Sequence, residues 1–152
     1  MANTYTQMLT QFVFAVKGRE NWITTDAKDS IEKYIVGIAQ SLECNVLAIY
    51  CNPDHCHILV GMTPTISPSK FMQKIKGNSS KWINDCNLLN GGFAWQTGFG
   101  AFNYSQSHKD RVVKYILNQE KHHKTESFQT EYIKFLESFQ VQYNDQYLFD
   151  YD

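Results

Sequence analysis

The run Asp54-His55-Cys56-His57-Ile58-Leu59-Val60-Gly61-Met62 constrains the fold more than any other stretch of this chain. Its apolar and β-branched residues predict a strand, along which successive side chains point to opposite faces. Cys56, Ile58, Val60 and Met62 then share a face suited to a core, and His55, His57, Leu59 and Gly61 share the other. Upstream, Cys44 to Cys51 is a second apolar run, and Asn52-Pro53-Asp54 supplies turn chemistry between the two. A hairpin is predicted, carrying two imidazoles side by side on a rigid strand. Such a pair can hold a divalent metal.

The rest of the chain supplies partners for this hairpin. Tyr5 to Val16 reads as a first strand ending at Lys17-Gly18-Arg19, and Thr24 or Thr25 can cap a helix with Ala27, Ile31, Tyr34, Ile35, Ile38 and Leu42 at helical spacing. Ser67-Pro68 starts a second helix that buries Phe71, Ile75, Ser79, Trp82 and Ile83. Phe93 to Tyr104, broken by Gly98 and Gly100, is a last strand with a bend or bulge. A third helix runs from a cap at Ser105 or Ser107 to about His123, with Val112, Val113, Ile116 and Leu117 toward the core and Arg111, Tyr115, Asn118, Gln119 and His122 opposite. A final helix groups Phe128, Tyr132, Phe135, Leu136 and Phe139 before an acidic, aromatic tail. The order βαββαβ predicts an α+β, ferredoxin-like or RRM-like antiparallel sheet backed by helices. The tyrosine-bearing helix and one further terminal helix are additions to it.

At 152 residues, one domain spanning 1–152 is expected, and no apolar run or leader argues for a membrane or secretory fate, so the expected location is cytoplasmic. Cys44, Cys51, Cys56 and Cys86 have no disulfide-framework spacing and are expected to stay thiols. A zinc site from Cys51, His55, Cys56 and His57 is disfavoured, because His55 and Cys56 lie on opposite strand faces.

The net charge of −1 argues against a polyanionic partner, yet its distribution does not. Nine basic and three acidic residues fall between Lys70 and Lys124, a local +6 that leaves −7 for the remainder. Lys70, Lys74, Gly77 and Lys81 form one narrow stripe on the second helix. The stripe suits a phosphate backbone, and a plain solvated lysine face is an equally good account of it.

Cleaving a phosphodiester with a protein nucleophile needs a hydroxyl in line with phosphorus and positive charge on the non-bridging oxygens. Tyr115 supplies such a hydroxyl, and Gln119 lies four residues on along the same helical face. If that helix docks on the sheet, the Gln119 side-chain oxygen can join His55 and His57 as a third ligand. His122 is the best alternative third ligand, and His108 and His123 are expected at the surface. No carboxylate stands out in the set, so metal binding without substrate is expected to be loose. The expected cofactor is a divalent cation, magnesium with manganese able to replace it, although imidazole pairs alone favour zinc and other transition metals.

In combination these segments resemble a known family. They are the Lys17-Gly18-Arg19 strand end, the histidine strand, Ser67-Pro68-Ser69-Lys70, Ile75 to Lys81, Trp95 to Phe102, and Tyr115-Ile116-Leu117-Asn118-Gln119 with its basic continuation. The chain is similar to the single-tyrosine HUH transposases of small insertion sequences that move as single-stranded DNA, with their repeat-associated relatives. Cys56 departs slightly from the bulkier apolar residue usual between the histidines. The resemblance implies that Tyr115 forms a 5′-phosphotyrosine link and frees a 3′-hydroxyl, and that His55, His57 and Gln119 bind the metal. It further implies a homodimer with shared active sites, the glycine-bearing segment before Tyr115 acting as a hinge, and recognition of hairpins near element ends. Lys70, Lys74, Lys81 and Arg111 are the expected DNA contacts. Rival readings are a replication-initiator or relaxase-type nickase, disfavoured by the short chain, and a domesticated, non-catalytic hairpin-binding module.

Overall fold

Strand β1 (Leu9–Ala15) is buried at every position, so both of its faces and both of its edges need cover. The computed structural model describes residues 3–19, 22–89, 91–123, 126–144 and 148, apart from the side chains of Arg19 and His122. In it β1 pairs antiparallel with β3 (His55–Gly61) on one edge and with β4 (Gly100–Tyr104) on the other. Strand β2 (Asn45–Cys51) pairs antiparallel with β3, completing the order β2-β3-β1-β4. This is the ferredoxin-like arrangement expected from the element order.

Helices α1 (Thr25–Ser41) and α2 (Pro68–Asp85) cross over one face of the sheet. Thr24 and Ser67 cap them through their side chains, an arrangement that contributes roughly 1 kcal/mol per helix. Under them, Phe12, Phe14, Cys56, Ile58 and Val60 pack against Ile31, Ile35, Phe71, Ile75 and Ile83 in one dry cluster. Cys56 thus sits in the core, and the mixed Cys–His zinc site does not form.

Helices α3 (Lys109–Leu117), α4 (Gln119–His122) and α5 (Phe128–Ser138) lie over the opposite face. Val112 and Ile116 pack on Leu9, Ala48 and Leu59, while Phe128, Tyr132 and Leu136 pack on Val13, Ala15 and Phe102. Between these two apolar patches the sheet presents the histidines.

Three sequence expectations change in detail. The tyrosine helix does not run unbroken to His123: Asn118, at φ −101° and ψ 22°, ends α3 before α4 begins. Leu117, the last residue of α3, is exposed rather than core-facing. The last strand is also shorter than Phe93 to Tyr104, because Gly98 turns the chain at φ 89° and only a Val16–Trp95 bridge precedes β4. The strand opens at Gly100, where a Cβ would lie 2.7 Å from Tyr132 Cε1. Glycine there lets α5 settle on the sheet. Lys124, Thr125 and, in the tail, residues 145–147 and 149–152 lie outside the described residues.

Among the described residues, no helix is long and apolar enough to cross a membrane.

Candidate functional site

His55 and His57 project from β3 toward α3–α5 and are almost wholly buried. Buried imidazoles need partners for both ring nitrogens. His55 Nδ1 lies 2.8 Å from Asp54 Oδ1, which can only accept from it, so the ring proton sits there and the Nε2 lone pair faces inward. Asn52 Nδ2 donates to that lone pair at 3.1 Å, and the Phe128 ring stacks on the imidazole at 3.9 Å. On His57, Nδ1 faces Gln11 Nε2 at 2.9 Å. The Tyr104 hydroxyl donates to Gln11 Oε1 at 2.9 Å, which turns the amide nitrogen toward the histidine.

Gln119, at the start of α4, is completely buried. Its Nε2 donates to the Tyr115 carbonyl at 3.3 Å, and its Oε1 accepts from Asn52 Nδ2 at 3.2 Å. Asn52 therefore ties the histidine hairpin to the tyrosine helix. The Tyr115 ring stands edge-on to His57 at 5.9 Å. His55, His57, Tyr115 and Gln119 meet in one place, as the helix-on-sheet expectation required.

Two residues join them that the sequence reading missed. Glu131, on α5, is 2% exposed and directs both carboxylate oxygens into the site. Its Oε1 lies 3.0 Å from His57 Nε2, 3.1 Å from His123 Nε2 and 3.4 Å from His55 Nε2, and its Oε2 accepts the Tyr115 hydroxyl proton. The expectation of a site without a carboxylate is corrected by this contact. His123 turns inward rather than lying at the surface: its Nδ1 donates to the Glu126 carbonyl at 2.7 Å, and its Nε2 is 2.9 Å from Gln119 Oε1. One ligand atom from each of His55, His57, His123 and Glu131 falls within 4.8 Å of the others. The side chain of His122, the alternative ligand, lies outside the described residues.

Charge explains how a buried acid survives here. Burial opposes ionisation of Glu131, but hydrogen bonds and charge from His55 and His57 outweigh it and hold the carboxyl below its ordinary pKa. Burial likewise opposes a charged His55, and the Asp54 and Glu131 carboxylates outweigh it and raise that pKa. A signal for Glu131 did exist. It lies three residues beyond Phe128 and one before Tyr132, inside the apolar arc of the last helix, where a lone carboxylate demands a partner. His123 also had one, at four residues beyond Gln119.

A cleft of about 650 Å³ opens onto Tyr115 and Glu131, with Arg111, Lys134, Tyr104 and Phe135 among its walls. Arg111 is thus beside the tyrosine. Lys70, Lys74 and Lys81 are not: they are exposed on α2, in the layer across the sheet, and Lys81 pairs with Asp85. Lys76 turns inward to donate to the carbonyls of Gln96 and Gly98, and burial pushes its pKa down to about 8.

Comparison with known proteins gives consistent matches. The family model described as "Transposase IS200 like" matches residues 4–119. The ISDra2 transposase TnpA of Deinococcus radiodurans is 24% identical over 118 residues, covering 74% of this chain and 84% of that protein. A transposase crystal structure from Deinococcus radiodurans superposes with a TM-score of 0.62 at 21% identity, covering 77% of this chain and 94% of the other. A REP-associated tyrosine transposase bound to a REP hairpin superposes with a TM-score of 0.59 at 16% identity, covering 80% and 72%. The last two establish a shared fold. The family match includes His55, His57, Tyr115 and Gln119 and stops short of His123 and Glu131.

Proposed function

Because the chain belongs to the IS200-like transposase family, whose members are DNA-cleaving enzymes, we propose that it cuts and rejoins single-stranded DNA at insertion-sequence ends through a 5′-phosphotyrosine on Tyr115. The observation that carries this reading is the meeting of the Tyr115 hydroxyl with the buried histidine pair through one carboxylate. A phenol directed at a cluster of metal-type donors is what nucleophilic attack on a phosphodiester requires.

The donors fit a divalent cation. Asp54 holds the His55 proton on Nδ1 and so leaves Nε2 open to a metal, the usual carboxylate–histidine support of a ligand imidazole. His55, His57 and the Gln119 carbonyl oxygen would hold the ion. When bound, it supplies charge neutralisation on the phosphate oxygens and on the leaving 3′-oxygen. Tyr115 gives its proton to Glu131, attacks phosphorus and forms the phosphotyrosine as the bond to the 3′-oxygen breaks, and that oxygen takes up a proton to leave as a hydroxyl. The freed 3′-hydroxyl, or that of another strand end, reverses the step, so no external energy source is needed. Arg111, at the mouth of the cleft, is suited to hold the incoming strand by its phosphate.

Hairpin recognition, assembly as a homodimer and action in the cytoplasm belong to the same proposal. Tyr115 stands beside the histidines of its own chain, so each subunit carries a full set of groups. Exchange of tyrosine helices between subunits would appear as activity in a mixture of Tyr115→Phe and His57→Ala proteins, each inactive alone.

The deciding experiment is covalent trapping. Protein is mixed with hairpin-bearing single-stranded DNA from the ends of its own locus, plus manganese, and run on a denaturing gel. The expected result is a shifted band that disappears in Tyr115→Phe and on chelation. Hairpin binding with no adduct, despite intact metal binding, would replace the enzyme by a binding module.

A further inference from the structure

We infer that Glu131 and His123, both beyond the segment matched by the family, complete a four-ligand transition-metal site with His55 and His57, so that the chain holds its cation before DNA arrives. The inference rests on the reading of His55 and His57 as metal ligands and goes beyond it. Two imidazoles and an amide oxygen would leave the coordination shell to be finished by phosphate and water. Three imidazoles and a carboxylate hold it with protein alone until a phosphate oxygen enters as a further ligand.

The hydrogen-bond directions point to this set. The Nδ1 proton of His55 is committed to Asp54 and that of His123 to the Glu126 carbonyl. Both Nε2 lone pairs therefore turn into the same space as Glu131 Oε1. His123 Nε2 faces two acceptors, Gln119 Oε1 at 2.9 Å and Glu131 Oε1 at 3.1 Å. A neutral His123 ring would set a lone pair against two acceptors there, and a positive charge, a proton at low pH or a metal ion where the ring is neutral, is what these atoms can share. Separations within 4.8 Å leave a small adjustment to a tetrahedral shell. Zinc and cobalt accept three imidazoles and one carboxylate, whereas magnesium prefers six oxygens. The remaining carboxylate oxygen, Oε2, is already bonded by Tyr115, so one side chain joins the cation to the attacking hydroxyl.

The test is titration of the metal-free protein with zinc and with cobalt at about pH 8, where an ordinary imidazole is neutral, and without DNA. Wild type, Glu131→Gln, His123→Ala, His57→Ala and Tyr115→Phe are compared, with circular dichroism to establish folding. One ion per chain is expected, with affinity lowered at least about tenfold in Glu131→Gln and His123→Ala, since even residues behind the ligands cost about 10- to 100-fold. Tyr115→Phe removes a hydrogen bond to Glu131 and should bind more weakly than wild type but more tightly than Glu131→Gln. The visible absorption of bound cobalt reads the coordination shell directly and should change in Glu131→Gln, which a purely structural role for Glu131 would not produce. Loss in His57→Ala with unchanged affinity and spectrum in Glu131→Gln and His123→Ala overturns the inference and leaves the histidine-pair reading intact. No metal binding by the wild type without DNA overturns the inference; the histidine-pair reading falls with it only if manganese also fails to support adduct formation once hairpin DNA is added.

Discussion

The two faces of strand β3 differ by one residue of register and by everything in chemistry. On one, Cys56, Ile58 and Val60 are sealed under α1 and α2 in a dry apolar cluster. On the other, His55 and His57 are equally buried, yet every described contact to their ring nitrogens is polar: Asp54, Asn52, Gln11 and Glu131. Burial alone therefore does not separate structure from function in this protein. What separates them is whether the buried groups satisfy one another through van der Waals contact or converge their lone pairs on a common point.

The sharpest break of this comparison is chemical. Tyr115→Phe removes only a hydroxyl at the rim of the polar face and should abolish the covalent DNA adduct while hairpin binding, measured by gel shift, persists. Next comes a swap of neighbours. Ile58→Ala should cost about 2–5 kcal/mol in denaturant unfolding and leave metal affinity nearly unchanged, whereas His57→Ala should remove metal binding at a smaller cost in stability. Equal destabilisation by the two would make the polar face a structural core like the other. Gly100→Ala puts a Cβ where Tyr132 already stands and should cost about 1–3 kcal/mol. Because it lifts α5, its effect on metal affinity should exceed that of any exposed substitution on α2.

Much of this arrangement was legible in local sequence. The period-two pattern of residues 54–62 sorted the two faces, Ser67-Pro68 marked a helix start, and the four-residue interval from Tyr115 to Gln119 brought both to the histidines. Such signals are carried by neighbours along the chain. Glu131 was not legible in the same way, because its burial depends on α5 docking against β1 and β4, a long-range event that periodicity within α5 does not encode. His123 depends on the break at Asn118, where a residue of weak helical preference lets the chain change direction.

Two smaller effects sharpen the contrast further. If Arg111 is the phosphate contact its place in the cleft suggests, Arg111→Gln should lower the slope of log affinity against log salt by about one. Single glutamine replacements of Lys70, Lys74 and Lys81 measure how far the strand extends around to the other layer, and a slope unaffected by all three would confine DNA to the polar side. The pH dependence of stability is the mildest test. His55, with its pKa raised above 6.5, contributes stability that is complete below that value and is lost as pH rises through the raised pKa. Glu131, with its pKa lowered beneath 4.5, contributes stability present above that value and lost as pH falls through the lowered one. The metal-free protein should thus show the pair's full contribution between pH 4.5 and 6.5, and Glu131→Gln should flatten a profile of Tm against pH.

Gln11 has a consequence of another kind. Its side chain is an asymmetric connector between His57 and Tyr104, with nitrogen toward the ring and oxygen toward the phenol. Coordination of a cation through His57 Nε2 moves the ring proton to Nδ1, and a connector that then offers nitrogen would set donor against donor. Half a turn of the amide repairs the clash and reverses the polarity of the whole chain, so that the Tyr104 hydroxyl becomes an acceptor. Tyr104 lines the cleft, so loading of the buried site would change the hydrogen-bond character of one of its walls.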